Sequence, residues 1–221
     1  SRDRGATWED VLYVDARTGA ADLVIDPRNP DKLVAAMWSH RREPWTMTSG
    51  GPGSGIFVTW DGGDTWTRRT ADDGLPEGIG LAIAPSDPRV VYALVEAEKS
   101  VLLRSDDGGR RFDVVNDDDG VNPRPFYYAD IFVAPDNENR VYRLASPVDV
   151  SEDGGRTFET LVSGELVHVD HHAWWVHPDD PDLILDGNDG GVAVSRDGGH
   201  TWQVFHNLPI GQFYHVNVDM E

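Results

Sequence analysis

Short apolar segments alternate with turns that contain proline, glycine and polar residues along the whole chain. No segment keeps a helical spacing of apolar residues, and none approaches the roughly 18 apolar residues of a membrane span. Short apolar and β-branched runs bounded by turn residues are typical of β-strands. The pattern therefore predicts an all-β protein with no membrane span in these residues.

One turn recurs five times with the pattern Ser/Thr-x-Asp-x-Gly-x-Thr-Trp/Phe. Its copies begin at residues 1, 59, 105, 151 and 195, so they lie 58, 46, 46 and 44 residues apart. Glycine tolerates positive φ, and aspartate accepts hydrogen bonds from its own turn, so each copy is predicted to close a β-hairpin. The aspartates are Asp3, Asp61, Asp107, Asp153 and Asp197.

An aromatic residue follows each turn at one fixed position, which predicts stacking between neighbouring units. The third copy departs from the pattern, because Arg111 replaces the threonine. The aromatic residues are Trp8, Trp66, Phe112, Phe158 and Trp202.

A second hairpin signal precedes each of the last four copies. Two apolar segments flank a turn of proline, aspartate and asparagine, and proline ends the first strand because it cannot donate to the ladder. These turns contain Pro27, Pro85, Pro135 and Pro178. Two hairpins per unit make four antiparallel strands, and a period in the forties is typical of β-propeller blades.

The expected fold is an all-β propeller of four-stranded antiparallel blades that is partial in this chain. We interpret residues 1–221 as one segment of a larger propeller, whose remaining blades or a partner chain would cover the open strand edges. Whole blades are predicted near residues 20–69, 78–115, 127–162 and 168–205, with part-blades at 1–12 and 212–219.

Composition narrows the classes of function. The 221 residues include 39 acidic and 19 basic ones, for a net charge of −20, which argues against a nucleic-acid partner. The charge permits a divalent cation or a cationic partner, although solubility alone accounts for it. The absence of cysteine excludes disulfides and thiol chemistry.

The repeated turn resembles the Asp-box, or bacterial neuraminidase repeat, of sialidase-like propellers. The wider chain is similar to bacterial sortilin-like proteins that are often labelled glycosyl hydrolases. The resemblance covers essentially the whole chain and implies an extracellular or periplasmic location. It implies fold more strongly than activity, because the Asp-box is a structural device and the arginine triad and nucleophilic tyrosine of true sialidases cannot be placed. The matching segments are 19–27, 36–42, 50–55, 187–191 and 212–216.

Alignment of the units on the proline turns places Asp22, Asp130 and His215 in register, with His172 one position earlier. In a propeller the first strand of each blade lines the central channel, so we expect these four side chains to converge at its mouth. Carboxylates and imidazoles together suit acid–base chemistry or metal binding. A solvated polar channel is the alternative.

The sequence Gly-Asn-Asp-Gly-Gly around Asp189 is similar to the segment that carries a catalytic carboxylate in xyloglucanase-type propellers. The resemblance implies that Asp189 acts as a catalytic acid or base, with Asn188 beside it as a ligand contact. A glycosidase needs a second carboxylate, for which Asp22, Asp130 and Asp170 are the candidates. A turn aspartate before close-packed glycines is the alternative.

Two further segments have the composition of metal sites. If the chain is extended there, His168, Asp170 and His172 share one face and could ligate zinc together with a residue of another blade. Hydrogen-bonded loop residues are the alternative. The acidic turn at 116–120 has the oxygen-rich composition of a calcium site but lacks the EF-hand spacing, so a solvated turn is the alternative.

The connection at 38–54 is longer than a blade requires, and such loops often carry function. It contains a candidate ligand-binding set of Trp38, His40, Arg41 and Trp45. The two tryptophans would form a platform for a sugar or tether the loop by packing.

Two classes of function remain. The first is a secreted or periplasmic binding module for a protein or glycan partner. The second is a glycoside-hydrolase-like enzyme with a pair of channel carboxylates, and an accessory subunit of a larger complex is a lesser alternative. The sequence favours the binding module, because no complete catalytic constellation can be assembled from it.

Overall fold

The computed structural model describes residues 1, 3–69, 79–97, 99–122 and 130–208. These residues form 17 strands in four antiparallel sheets, and the sheets follow one another along the chain as the blades of a propeller do. The predicted all-β class and the four-stranded antiparallel blades are confirmed.

Each blade is built from consecutive strands. The first blade contains β1 (Thr18–Asp26), β2 (Asn29–Glu43), β3 (Thr46–Ser49), β4 (Gly55–Thr59) and β5 (Thr67–Arg68). The second contains β6 (Ile79–Ile83), β7 (Val91–Val95), β8 (Val101–Ser105) and β9 (Asp113–Asn116). The third contains β10 (Ile131–Val133), β11 (Val141–Leu144), β12 (Val148–Ser151) and β13 (Glu159–Val162). The fourth contains β14 (His171–His177), β15 (Asp180–Asn188), β16 (Gly191–Ser195) and β17 (Gln203–Phe205).

Apolar cores lie between consecutive blades. Because successive residues of a strand point to opposite faces, Leu81 packs against the first blade while Ala82 packs against the third. The aromatic residue after each of the last three Asp-box turns packs toward the preceding blade: Phe112, Phe158 and Trp202 each border the core on that side.

The Asp-box turns repeat one set of hydrogen bonds. In the last copy the Ser195 hydroxyl donates to Asp197 and accepts from the Gly199 amide, each at 2.8 Å. Asp197 in turn accepts the backbone amide of Thr201 at 2.8 Å and its hydroxyl at 2.6 Å. The turn thereby satisfies its own polar groups, and Gly198 and Gly199 supply the positive φ that it requires.

The residues that the structure describes cover one face of the first blade only in part, with Val11 beside Gly63. Leu23 and Ile25 occupy the positions at which Leu81 and Ile83 pack against a preceding blade, and they are 54% and 50% exposed. The first Asp-box turn keeps the hydrogen bonds from Thr7 to Asp3. The residues that follow it form no strand before β1, and no strand is described for them to pair with.

The expected stacking of Trp8 is not observed, because its side chain is 82% exposed and no described blade lies on that side. The predicted part-blade at 212–219 lies outside the described residues.

The long connection of the first blade is largely a β-hairpin and not an irregular loop. Strand β2 continues to Glu43, and β3 returns beside it with His40 opposite Ser49 and Glu43 opposite Thr46. The ladder satisfies backbone groups that a loop of this length would leave to solvent. The hairpin therefore projects beyond the body of the blade as a continuation of its second strand.

Candidate functional site

The blades have two chemically different ends. The proline turns and the Asp-box turns lie at one end, which we call the Asp-box end, because each links antiparallel strands at the same side of the sheet. The starts of the first strands and the connections between the second and third strands lie at the other end, which we call the variable end. The variable end contains the described residues that were predicted to act in catalysis, ligand binding or metal binding. They are Asp22, Asp130 and the candidates within 38–45, 168–172 and 188–189.

A buried polar network marks the variable end of the fourth blade. The Nδ1 atom of His171 donates to the carboxylate of Asp186 at 2.9 Å, and both side chains are fully buried. The Nδ2 atom of Asn188 donates to the second oxygen of Asp186 at 2.7 Å. The Oδ1 atom of Asn188 accepts the Gly190 amide at 2.8 Å. Both ends of the Asn188 side chain, which was predicted to contact a ligand, therefore hydrogen-bond within the protein.

No sequence pattern distinguishes His171 or Asp186 as a pair. The two residues are 15 positions apart and meet because β14 and β15 pair with Trp174 opposite Asp186. An irregularity in the ladder between His171 and Ala173 sets the side-chain direction at this point. Only the strand register could have identified the pair.

Asp189 lies at the tip of the turn between β15 and β16, next to this network. The Nε2 atom of His172 donates to its carboxylate at 3.1 Å, with side-chain exposures of 8% for His172 and 33% for Asp189. Gly190 follows at a close approach, since a Cβ there would lie 2.5 Å from the Cβ of His168. The arrangement joins one accessible carboxylate to a buried imidazole.

The predicted zinc set is not brought together. Asp170 adopts a left-handed conformation with φ of 67°, which breaks the alternation that would place His168, Asp170 and His172 on one face. Strand β14 begins only at His171, and Asp170 accepts the Ser146 hydroxyl at 3.0 Å. Among the described residues no group of three or more His, Asp or Glu side chains could hold a metal ion.

The acidic turn at 116–120 also has structural contacts. The amide of Asn116 donates to the carbonyls of Gly155 and Arg156 at 3.1 and 3.0 Å, which ties the second blade to the Asp-box of the third. Asp117 pairs with Lys99 at 2.8 Å. The turn is therefore a link between blades, and the part of the chain that is described offers no calcium site there.

The two described carboxylates that were predicted to face a channel, Asp22 and Asp130, have different surroundings. Asp22 accepts the backbone amides of Leu81, in the next blade, and of Leu23, each at 2.7 Å. Burial raises the pKa of Asp22, and the two amides counteract this only in part. The backbone carbonyl of Asp130 accepts the amide of Leu144 at 3.0 Å. Asp22 thus connects two blades through its carboxylate, and His215 lies outside the described residues.

The projecting hairpin is braced at its base and exposed at its tip. The indole of Trp38 donates to the Ser49 hydroxyl at 3.2 Å, and Ser49 donates to Glu96 of the second blade at 3.0 Å. The rings of Trp38 and His40 lie 4.2 Å apart. Trp45 at the turn is 80% exposed. The hairpin therefore presents one large aromatic side chain on a supported strand pair.

A cleft of 580 Å³ lies at the base of the hairpin. Its lining includes Arg17 and Arg41 with Asp15 and the glycines of the following segment. The Arg41 side chain is 72% exposed and pairs with Glu43 at 2.7 Å. The cleft at the base and Trp45 at the tip both belong to the hairpin at the variable end of the first blade, and we call the two together the hairpin surface.

Comparison with solved structures identifies the fold. A GH74 xyloglucanase from Xanthomonas campestris superposes with a TM-score of 0.64 at 18% identity, over 92% of this chain and 32% of that one. An ancestral GH74 enzyme gives 0.59 at 17% identity, over 87% and 25%. YCF48 from Cyanidioschyzon merolae gives 0.57 at 14% identity, over 90% and 59%. The chain spans about a third of the length of the xyloglucanase and less than two thirds of YCF48.

No family model matches the sequence, and no curated protein matches it. The described residues contain no helix that is long and apolar enough to cross a membrane. At these identities the likeness concerns architecture alone. The chain is a β-propeller segment similar in fold to GH74 enzymes and to YCF48.

Proposed function

We propose that this chain is part of a secreted or periplasmic binding module, of the sortilin-like type, which holds a protein or glycan partner on the hairpin surface. The observation that carries the proposal is Trp45, which is 80% exposed at the tip of a braced hairpin. A tryptophan in this position adds little to folding, whereas exposed aromatic anchors on rigid supports are typical of binding hot spots.

The surroundings of the carboxylates also favour binding over hydrolysis. Asp22 holds two backbone amides, and Asp170 accepts a serine hydroxyl. A glycosidase needs a carboxylic acid and a second carboxylate on either side of the scissile bond. Two of the three partners predicted for Asp189 therefore already have structural hydrogen bonds.

The test is a binding screen on a glycan array and a peptide array with three proteins: the wild type, Trp45→Ala and Trp8→Ala. Trp8 is the matched control, because it is 82% exposed but follows an Asp-box turn and is not part of the hairpin. We expect a ligand whose affinity falls by about tenfold or more in Trp45→Ala, as hot-spot truncation does, and is unchanged in Trp8→Ala. Equal loss in both variants would contradict the hairpin surface.

A second candidate function rests on the pair of Asp189 and His172. The carboxylate of Asp189 is accessible, and the propeller is similar in fold to a xyloglucanase. Xyloglucan is therefore the first substrate to test. Release of reducing ends by the wild type, lost in Asp189→Asn while thermal stability is kept, would support hydrolysis. No turnover by the wild type, together with Trp45-dependent glycan binding, would support the binding module instead.

A further inference from the structure

A second cleft lies between the first two blades at the Asp-box end, opposite the hairpin surface. Its volume is 630 Å³, and both blades contribute to its lining through their proline turns and through the Asp-box turns at 59–66 and 105–112. Four carboxylates and four cationic side chains border it, in a chain whose net charge is −20. The pairing among these charges decides what the cleft can bind.

Each carboxylate of the cleft is already compensated by a cation. Asp87 receives two bonds from Arg89, and Asp106 pairs with Arg104 at 2.8 Å. The ion pairs are Asp26 with Lys32, Asp87 with Arg89, Asp106 with Arg104 and Asp107 with Arg111. The acidic groups therefore leave little uncompensated negative charge at the mouth of the cleft.

Two guanidinium groups of the cleft have no carboxylate partner among the described residues. Arg28 donates through Nη2 to the carbonyls of Pro85 and Ser86 at 3.2 and 2.7 Å. Arg110 donates through Nη1 to the Asp107 carbonyl at 2.7 Å and lies 5.0 Å from the centre of the Trp60 ring. Both keep further N–H donors that these bonds do not use.

Lys32 adds a buried cation at the floor of the same cleft. Its residue is 5% exposed, and its ammonium group donates to Asp26 and to the Pro88 carbonyl of the second blade. Burial lowers the pKa of Lys32, and Asp26 counteracts part of that effect. The floor is thus preorganised by a bond across the interface between the two blades.

The next interface provides an internal comparison. Alignment on the proline turns places Ser86 and Val90 where the first cleft has Arg28 and Lys32, and alignment on the Asp-box turns places Asp106 where it has Trp60. Arg110 does have a basic counterpart there, Arg156, which likewise donates to the carbonyl of its own Asp-box aspartate, at 2.6 Å. The next interface also contains Arg104, but its guanidinium group donates to the Tyr92 hydroxyl and to Asn139. The pair of Arg28 and Arg110 therefore belongs to the first interface.

We propose that the cleft between the first and second blades binds an oxyanion group, a carboxylate, sulfate or phosphate, between Arg28 and Arg110 beside Trp60. Guanidinium groups recognise such anions through paired N–H bonds, which are stronger than neutral hydrogen bonds. The site is independent of the hairpin surface, because it lies at the other end of the blades.

The proposal is tested by calorimetric titration with sodium sulfate, sodium phosphate and sodium galacturonate at constant ionic strength set with chloride. The inorganic anions and the sugar carboxylate distinguish a free oxyanion from one carried on a glycan. We expect saturable binding of at least one of them, weakened by about tenfold or more in Arg28→Gln and in Arg110→Gln, since each loses charge-assisted bonds.

Arg156→Gln is the matched control, because it removes the equivalent arginine at the next interface, and its affinity for the anion should equal that of the wild type. Thermal unfolding in chloride checks that each variant is folded. The proposal is overturned if no anion binds in a saturable manner, or if Arg156→Gln weakens binding as much as Arg110→Gln.

Discussion

The two ends of the blades use aspartate in opposite ways. At the Asp-box end the hydroxyl and amide of Thr201, with further turn groups, lower the pKa of Asp197 to about 2. At the variable end burial raises the pKa of Asp22. One set of bonds recurs in each Asp-box turn, whereas the variable end differs in every blade. The repeat therefore builds a scaffold at one end and leaves the other free to differ between blades.

The largest expected effect comes from the buried pair of the variable end. Asp186→Leu removes the acceptor of two buried donors, on His171 and Asn188, and should lower the free energy of unfolding by about 3–5 kcal/mol. Asp189→Leu, at the partly exposed pair, should cost below about 1 kcal/mol. Urea unfolding of both measures the difference, and similar values would show that the Asp186 network does not stabilise the fold.

A smaller loss of unfolding free energy is expected from a substitution in an Asp-box turn. Gly155 has φ of 86°, and a Cβ there would lie 2.3 Å from the side chain of Leu102, which is fully buried in the preceding blade. Gly155→Ala should therefore cost about 2–4 kcal/mol. Gly120→Ala, in the connection after β9, meets no atom within 4 Å and should change stability by less than about 0.5 kcal/mol.

Low pH should have opposite effects on the stability contributed by the Asp-box aspartates and by Asp22. Asp61 and Asp197 have folded pKa values of about 2, below the ordinary 3.8, so their stabilising contribution is complete above pH 3.8 and is lost as pH falls through about 2. Asp22 has a raised pKa, so its contribution has the opposite sign and falls as pH rises through its titration.

Melting temperatures measured between pH 5 and pH 2 should therefore fall less steeply in Asp197→Asn and more steeply in Asp22→Asn than in the wild type. The changes are small, because solvent screens the exposed turns. Identical slopes in all three proteins would refute the opposite roles of the two aspartates.

The smallest expected effect on stability is that of Trp45→Ala. The side chain is 80% exposed, so its removal should change the free energy of unfolding by less than about 0.5 kcal/mol. Equilibrium unfolding in urea provides the measurement. A larger loss would mean that Trp45 packs within the fold, and the binding screen could then not separate recognition from folding.

Much of the fold followed from local signals. Each Asp-box turn and each proline turn contains its own hydrogen-bonding groups within a few residues, so the hairpins could be assigned without knowledge of their neighbours. The projecting hairpin of β2 and β3 was predicted as a loop, since its glycine-rich continuation concealed the strand pairing. The predicted zinc set assumed an extended chain with alternating side-chain directions at 168–172. The left-handed conformation of Asp170 interrupts that alternation, and the sequence did not indicate it.

The sequence by itself determined the four strands of each blade, the turns and the order of the blades, because these depend on contacts between residues close in the chain. The tertiary structure decided which side chains meet. Register placed Asp186 beside His171, and stacking of two blades placed Arg28 and Arg110 around one cleft. His171 and Asp186 are 15 positions apart, and a shift of one position in strand pairing would turn such side chains to the other face. Arg28 and Arg110 are 82 positions apart and line one cleft only because their blades stack.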